Sequence, residues 1–253
     1  FTKGVRELEK LGFKVFHRSD VFDQNRYLAG TDTRRAEEFT ELLINKNVKA
    51  VMFARGGYGS QRIIPLLNED TLKSHPKPVI GFSDLTALLT FLHQSFEFPT
   101  FYGPVITQLG NAKTDTTANS LFKALSSKEP LGEMPVANAK TINSGNTSGE
   151  IVGGCLSLIN SSIGTPYELN TNGKILFIEE INEKIYVLDR MLTQLKNSGK
   201  LDTVNGIVFG SLILQENEPH NVEAMIQDVL NDFNKPVILG FPTGHIDGFV
   251  TLP

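Results

Sequence analysis

Short apolar segments with strand character alternate with amphipathic segments along this chain, and this alternation restricts the possible folds more than any other feature. The apolar segments lie at 48–53, 78–82, 174–178, 206–209 and 236–239. Residues 33–46 and 186–196 have the apolar spacing of helices. Strands separated by helices of this length form parallel sheets with helices packed on their faces. The sequence therefore predicts an α/β protein with a parallel sheet, and residues 14–16 are a further candidate strand.

The composition excludes several classes of function. The formal net charge is −4 and no run of five basic residues occurs, so we expect neither nucleic acid nor a membrane surface as a partner. The single cysteine, Cys155, excludes an intrachain disulfide framework and fits a reducing compartment. No apolar run reaches the roughly 18–20 residues that span a bilayer.

A serine stands where one apolar segment turns into a helix. Residues 78–80 are apolar, residues 81–84 read GFSD, and residues 85–92 have helical composition. On such a turn the hydroxyl of Ser83 is presented at the carboxyl end of a sheet, and the amide of Asp84 and the helix dipole face any oxyanion formed there. The same pattern also suits a plain helix N-cap. These residues alone are compatible with both a nucleophile and a helix N-cap.

A glycine-rich turn follows an earlier strand. Residues 55–60 read RGGYGS, between a strand and a helix. Exposed amides in such a turn bind an oxyanion or a phosphate, but the spacing of known phosphate loops is absent. A tight turn that simply requires glycine is the alternative.

A base and a carboxylate occur after later strands. His245 directly follows Gly244 beyond a strand, which makes it the best general-base candidate among five histidines. Glu179 ends the strand at 175–178, where a carboxylate can orient an imidazole, whereas surface charge accounts for Glu180 and Glu183. No His/Cys cluster has metal-ligand spacing, so we predict neither a metal nor another cofactor.

Nine short motifs occur in one order along the chain, and together they resemble the LD-carboxypeptidase family, the serine peptidases of family S66 that trim murein peptides. The motifs are LAGTD at 28–32, RGGYG at 55–59, GFSDLTAL at 81–88, GGCLSL at 153–158, GTPY at 164–167, ILFIEE at 175–180, DRMLTQL at 189–195, GH at 244–245 and TLP at 251–253.

The resemblance assigns roles to individual residues. It implies that Ser83 is the nucleophile, His245 the general base and Glu179 the acid that orients the histidine. The backbone amides of Asp84 and Gly57 would form the oxyanion hole. For the terminal carboxylate of the substrate, Arg55 and Arg190 are the candidates, and Tyr102 is a further candidate substrate contact.

The resemblance also implies a domain organisation. We expect a flavodoxin-like domain with a parallel sheet at 1–115 that carries the serine, a polar linker at 116–149, and a swivelling β/β/α domain at 150–253 that carries the acid and the base. The chain begins inside a predicted helix, so we expect the first strand of the family's sheet to lie outside it.

The implied activity is hydrolysis of the amide between an L-configured centre and a terminal D-amino acid. Release of D-alanine from murein tetrapeptide, during cytoplasmic cell-wall recycling by a homodimer, is the expectation. The microcin C self-immunity type, which cleaves a peptidyl or aminoacyl nucleotide, is one alternative. Those enzymes often stack the nucleobase on a tryptophan, and this chain has none. A non-catalytic ligand-binding α/β protein is the other.

Three positions depart from the family pattern. Cys155 stands where asparagine is usual, Tyr102 replaces a common histidine, and Glu180 replaces the usual aspartate. None of these removes a predicted catalytic residue, but Tyr102 and Cys155 are expected to reshape the pocket or its neighbours.

Overall fold

The computed structural model describes residues 1–134, 136, 138–216 and 218–253, and it divides them into two compact units. Unit 1 comprises Phe1–Glu129 together with Val250–Pro253, and unit 2 comprises Pro130–Phe249. Each unit has its own sheet. The predicted α/β fold with two domains is confirmed.

Unit 1 contains a three-stranded parallel sheet in the order β1-β2-β3. The strands are β1 (Val51–Met52), β2 (Val79–Gly81) and β3 (Thr100–Tyr102). The helices are α1 (Thr2–Lys10), α2 (Asp32–Ile44), α3 (Ser60–Ile63), α4 (Glu69–Ser74), α5 (Thr86–Phe96), α6 (Ile106–Leu109) and α7 (Thr116–Ser126).

The central strand of this sheet is covered on both faces. Val79 and Ile80 are fully buried, and successive side chains of a strand point to opposite faces. Ile80 packs in a core cluster with Leu8 of α1 and Leu121 of α7. Packing on both faces fixes β2, and therefore also fixes the turn that follows it.

Unit 2 contains a five-stranded mixed sheet in the order β4-β8-β7-β6-β5, in which the pair β4–β8 is antiparallel and the other pairs are parallel. The strands are β4 (Lys140–Asn143), β5 (Ile151–Cys155), β6 (Ile175–Glu183), β7 (Gly206–Leu214) and β8 (Val237–Leu239). The helices are α8 (Leu156–Ser162), α9 (Ile185–Asn197) and α10 (Val222–Val229). Leu176 and Ile178 of β6 lie in one large core cluster with Leu192 of α9 and Ile226 of α10.

The structure divides the chain at other places than the sequence predicted. Thr116–Ser126, assigned to the linker, forms α7 of unit 1, because its buried Leu121 completes the core there. Lys140–Asn143 pairs with β8 and belongs to the sheet of unit 2. Val250–Pro253 belongs to unit 1, where Leu252 pairs with Tyr102. Residues 14–16 form no strand, and Val15 packs against the unit 1 core instead.

Within the described part of the chain, no helix combines the length and the apolar character that crossing a membrane requires.

Candidate active site

Ser83 lies in a strained turn at the carboxyl end of β2. The strand ends at Gly81, and a short 3-10 turn (Ser83–Leu85) leads into α5. Ser83 has a φ of 62°, in the left-handed region that residues with a Cβ rarely adopt and that often marks functional sites. Neither the 3-10 turn nor α5 has a side-chain cap. The N-cap interpretation is therefore wrong for this turn.

Two side-chain hydroxyls bind the backbone of Ser83. Its N–H donates to the hydroxyl of Tyr102 at 3.1 Å, and its carbonyl accepts from Thr86 Oγ1 at 2.7 Å. Tyr102 is itself fixed, since it pairs with Gly81 in the sheet and its N–H donates to the carbonyl of Leu252. The sequence predicted Tyr102 as a substrate contact. In the structure its hydroxyl instead accepts a hydrogen bond from the backbone N–H of Ser83, the candidate nucleophile.

The glycine turn, defined here as residues 55–59, packs directly against Ser83. A Cβ on Gly56 would lie 3.2 Å from the Cβ of Ser83 and 3.4 Å from its Oγ, a spacing that favours glycine. Gly57 and Gly59 have φ values of 96° and 119°, which glycine adopts without steric cost. Arg55 is exposed, and its Nε lies 3.9 Å from the point that a Cβ on Gly57 would occupy. The turn thus brings the backbone at Gly56 close to Ser83, and the Nε of Arg55 lies beside Gly57.

Asp84 connects the serine turn to the glycine turn. Its buried carboxylate accepts the N–H of Ser60 at 2.7 Å. Ser60 also donates its Oγ hydrogen to the backbone carbonyl of Asp84 at 2.5 Å. The N–H of Asp84 lies in the first turn of a helical segment, where amides have no intrahelical acceptor. This amide is therefore suited to binding an oxyanion.

In unit 2, Glu179 and His245 form a hydrogen-bonded pair. Nδ1 of His245 lies 2.7 Å from Oε2 of Glu179; the glutamate side chain is fully buried and that of the histidine is 16% exposed. Because an ionised carboxylate only accepts, Nδ1 is the donor, and the lone pair of the ring lies on Nε2. This is the tautomer that a general base requires.

Gly244 and Ser211 shape the loop that carries the histidine. The N–H of His245 donates to Ser211 Oγ at 3.0 Å, and the N–H of Ser211 donates to the carbonyl of Thr243 at 2.9 Å. A Cβ on Gly244 would lie 2.3 Å from Ser211 Oγ and 2.8 Å from Glu179 Oε2. Glycine is therefore the residue that lets the loop approach the glutamate.

Glu180 is buried, and its assignment to the surface is wrong. Its carboxylate accepts the N–H of Ser157 at 2.7 Å and that of Ile181 at 2.9 Å, and the thiol of Cys155 at 3.4 Å. Burial, followed by the charges of Glu179 and Glu180, raises the pKa of Cys155. Burial therefore favours the protonated thiol of Cys155 over the reactive thiolate.

Arg190 lies apart from these contacts. It is exposed on α9, and its guanidinium lies 5.5 Å from the ring centroid of Tyr186. Among the described residues, no group of three or more His, Cys, Asp or Glu side chains could hold a metal ion.

Each unit contributes some of the chemical groups that acyl transfer requires. Unit 1 contributes a hydroxyl beside backbone amides, and unit 2 contributes an imidazole oriented by a carboxylate. Sequence reasoning missed Ser60 and Ser211, which hold these parts in place. The position of Ser211 just beyond the buried stretch 206–209 is the one signal that could have identified it.

Comparisons with known proteins match both units to domains of one family. The family model described as the LD-carboxypeptidase N-terminal domain matches residues 1–103, and the one described as the LD-carboxypeptidase C-terminal domain matches residues 148–253. The probable murein peptide carboxypeptidase of Bacillus subtilis (strain 168) is 35% identical over 252 residues, which is 97% of this chain and 79% of that protein.

Two solved structures share the fold. The microcin C7 self-immunity protein MccF of Escherichia coli, in complex with glutamyl sulfamoyl guanosine, has a TM-score of 0.92 and 28% identity, and the match covers 100% of this chain and 84% of that chain. The muramoyltetrapeptide carboxypeptidase of Oxalobacter formigenes has a TM-score of 0.83 and 27% identity, covering 100% of this chain and 86% of that chain.

Proposed function

The chain belongs to the LD-carboxypeptidase family, and we propose that it is a serine carboxypeptidase that releases the terminal D-alanine of murein tetrapeptide during cytoplasmic cell-wall recycling. The observation that carries the proposal is the pair of Glu179 and His245, joined at 2.7 Å with the carboxylate fully buried. Burying a charged carboxylate costs desolvation free energy, which its hydrogen bonds offset only in part. Orienting a general base is a function that accounts for a carboxylate in this position.

The proposed reaction has two steps. Ser83 Oγ attacks the carbonyl of the terminal amide while His245 Nε2 takes the hydroxyl proton; the C–N bond then breaks, and the same proton goes to the amine of the departing D-alanine. Water, deprotonated by His245, attacks the acyl-serine; the ester C–O bond breaks, His245 returns the proton to Ser83 Oγ, and the tripeptide leaves with a new carboxylate. Glu179 stabilises the imidazolium in both steps.

The amides of Gly57 and Asp84 are proposed to bind the tetrahedral oxyanion. One such donor typically contributes about 3–4 kcal/mol to transition-state stabilisation. The contact between Gly56 and Ser83 supports this assignment, since it brings the glycine turn to the serine.

For the terminal carboxylate of the substrate, Arg55 is the better supported of the two arginines. Its Nε lies beside Gly57, in the turn that contacts Ser83, and a guanidinium binds a carboxylate with two parallel hydrogen bonds. Arg190 instead lies over Tyr186, so we propose a lesser role for it.

A peptidyl or aminoacyl nucleotide is the second candidate substrate. The likeness to the microcin C7 self-immunity protein in complex with glutamyl sulfamoyl guanosine, at a TM-score of 0.92, favours it. The absence of tryptophan from the chain favours the murein peptide.

The test is mass spectrometry of murein tetrapeptide incubated with the purified chain, beside a Ser83→Ala control and beside an aminoacyl sulfamoyl nucleoside as the competing substrate. We expect loss of one D-alanine from the tetrapeptide and no loss with Ser83→Ala. Cleavage of the nucleoside conjugate alone would establish the second candidate. No cleavage of either by a folded chain would contradict both proposals and favour a ligand-binding role.

We also propose that the protein is a homodimer, on the strength of the family resemblance. Analytical ultracentrifugation tests this, and sedimentation at the mass of a single chain would contradict it.

A further inference from the structure

We propose that the side chain of Asp84 is a positioning group that holds the glycine turn in register with Ser83 and thereby sets the spacing of the two oxyanion donors. The inference rests on the proposed function, because the spacing of Gly57 and Asp84 affects the rate only if an oxyanion forms beside them. It concerns the carboxylate of Asp84, which is distinct from the backbone amide to which the oxyanion role was assigned.

Two hydrogen bonds join Asp84 and Ser60, and Ser60 is the donor in both. The carboxylate of Asp84 accepts the N–H of Ser60 at 2.7 Å, and the hydroxyl of Ser60 donates to the carbonyl of Asp84 at 2.5 Å. Asp84 is 5% exposed and Ser60 is 3% exposed. One hydrogen bond fixes a distance between two segments, whereas two between the same residues also restrict their relative rotation.

The local sequence explains why this contact is needed. Ser60 is the first residue of α3, and the residue before it is Gly59, which has no side chain to cap the helix. A capping side chain normally accepts an amide of the first helical turn, and Asp84 does so from a segment 24 residues further along the chain. The cap of α3 therefore depends on the residue that follows the nucleophile.

The position of the glycine turn also depends on this contact. Gly56 lies so near Ser83 that a Cβ on it would be 3.2 Å from the Cβ of Ser83, and Gly57 and Gly59 both have positive φ values. Glycine backbones are the most conformationally free, so a turn with this composition requires an external anchor to keep one conformation. Asp84 and Ser60 anchor its far end, directly after Gly59.

The position of the glycine turn affects the reaction rate. Oxyanion donors act only within hydrogen-bond distance of the developing charge, and a displacement of about 1 Å in an active site can cost a hundredfold in rate. A carboxylate suits the task because its bonds to backbone N–H groups are stronger than those of a neutral acceptor.

The first test compares the steady-state kinetics of three variants on the substrate identified for the wild type. We expect Asp84→Ala to lower kcat by about tenfold to a hundredfold with little change in KM. Asp84→Asn keeps one acceptor oxygen and should recover part of the loss. The matched control is Asn68→Ala, which removes the side chain that caps α4 by accepting the N–H of Thr71 at 2.9 Å but no bond to the glycine turn or to Ser83, and it should keep kcat near the wild-type value.

The second test separates positioning from general destabilisation. A peptide boronic acid, whose boron replaces the scissile carbonyl carbon, forms a tetrahedral adduct with serine that uses the oxyanion donors, whereas the tripeptide product does not. We expect Asp84→Ala to weaken binding of the boronate by about tenfold or more, while binding of the tripeptide and the far-ultraviolet circular dichroism stay unchanged.

The outcomes are distinguishable. If wild-type protein forms no boronate adduct at Ser83, the proposed function is overturned, and this inference with it. If the wild type forms the adduct and Asp84→Ala binds it equally well, or loses boronate and tripeptide affinity in equal measure, the inference alone is overturned. Should Asp84→Ala fail to fold, Ser60→Ala removes one of the two bonds, and the same comparison then expects a loss of about threefold to tenfold.

Discussion

At the scale of single residues, the proposed role of His245 as the base depends on its hydrogen bond from Nδ1 to the carboxylate of Glu179. In Glu179→Gln the side chain keeps its shape but loses the charge that stabilises the imidazolium, and its amide favours the wrong tautomer of His245. We expect kcat to fall by about a thousandfold or more while the melting temperature changes little, as measured by steady-state kinetics and calorimetry.

The control for this substitution has to be chosen from the structure. Glu180→Gln is unsuitable because the carboxylate of Glu180 accepts two backbone N–H groups, and an amide can accept only one of them, so we expect that variant to lose stability. Glu183, at the end of the same strand, is only partly buried, and burial raises its pKa. Glu183→Gln should leave kcat near the wild-type value; an equal loss in both variants would show that the acid is misassigned.

Tyr102→Phe tests how firmly the nucleophile is held. The substitution removes the hydroxyl that accepts the N–H of Ser83 at 3.1 Å and leaves the ring in place. Loss of such an acceptor costs about 1–3 kcal/mol, and we expect a comparable fall in the free energy of unfolding together with a lower kcat. Wild-type stability and kcat in Tyr102→Phe would show that the contact has no positioning role.

From the sequence, residues could be singled out where their position along the chain carries a signal, and the roles assigned to them stay predictions. Ser83, Glu179 and His245 all follow predicted strands, and the carboxyl ends of parallel strands are where ligands bind. Ser60 and Ser211 gave no such signal, because a lone serine is compatible with any environment. Their partners, Asp84 and His245, lie 24 and 34 residues away, so only the folded structure brings them together.

At the scale of elements, the loop after β8 reaches Glu179 only because it contains Gly244. A methyl group there would lie 2.3 Å from Ser211 Oγ and 2.8 Å from Glu179 Oε2, at a φ of 122°. Gly244→Ala must therefore displace the loop, the serine or the glutamate, and we expect kcat to fall by about a hundredfold or more.

Gly173→Ala is the matched control for this loop. Gly173 also has a positive φ, 69°, but no atom lies within 4 Å of the position that a methyl group would occupy there. Backbone strain alone should therefore lower its free energy of unfolding by about 1–2 kcal/mol and leave kcat unchanged. Equal losses of kcat in the two variants would show that strain, and not the approach to Glu179, accounts for the effect.

The order of the helices and strands was predictable because each element has its own periodic spacing of apolar residues. The positions at which the strands end were not predictable. The strand predicted at 206–209 continues as β7 to Leu214, and the one at 174–178 continues as β6 to Glu183. Beyond residues 178 and 209 the two strands pair with each other through register shifts. Pairing between distant strands, and not local composition, therefore decides where they end.

At the scale of the whole molecule, the chain enters unit 2 after Glu129 and returns to unit 1 at Val250. Sequence reasoning assigned the last residues to the second domain, because four residues carry too little pattern to show which sheet they join. The contacts decide it: Tyr102 and Leu252 exchange two backbone hydrogen bonds of 2.8 and 3.0 Å, and the N–H of Thr251 donates to Ser120 Oγ at 2.9 Å. The end of β3, which supports Ser83 through Tyr102, thus depends on residues 150 positions away in sequence.

This connectivity leads to a prediction for Leu252→Ala. Leu252 is 4% exposed, and truncation of a buried leucine costs about 2–5 kcal/mol. Because each unit has its own core cluster, we expect hydrogen exchange followed by mass spectrometry to show lost protection at residues 79–103 of unit 1, with β6 and β7 of unit 2 still protected. The matched control is Leu176→Ala, which truncates a fully buried leucine of β6 and should expose β6 and β7 while leaving residues 79–103 protected. Identical exchange patterns in the two variants would show that the units unfold as one cooperative body, and that the return of the chain to unit 1 does not give β3 a stability of its own.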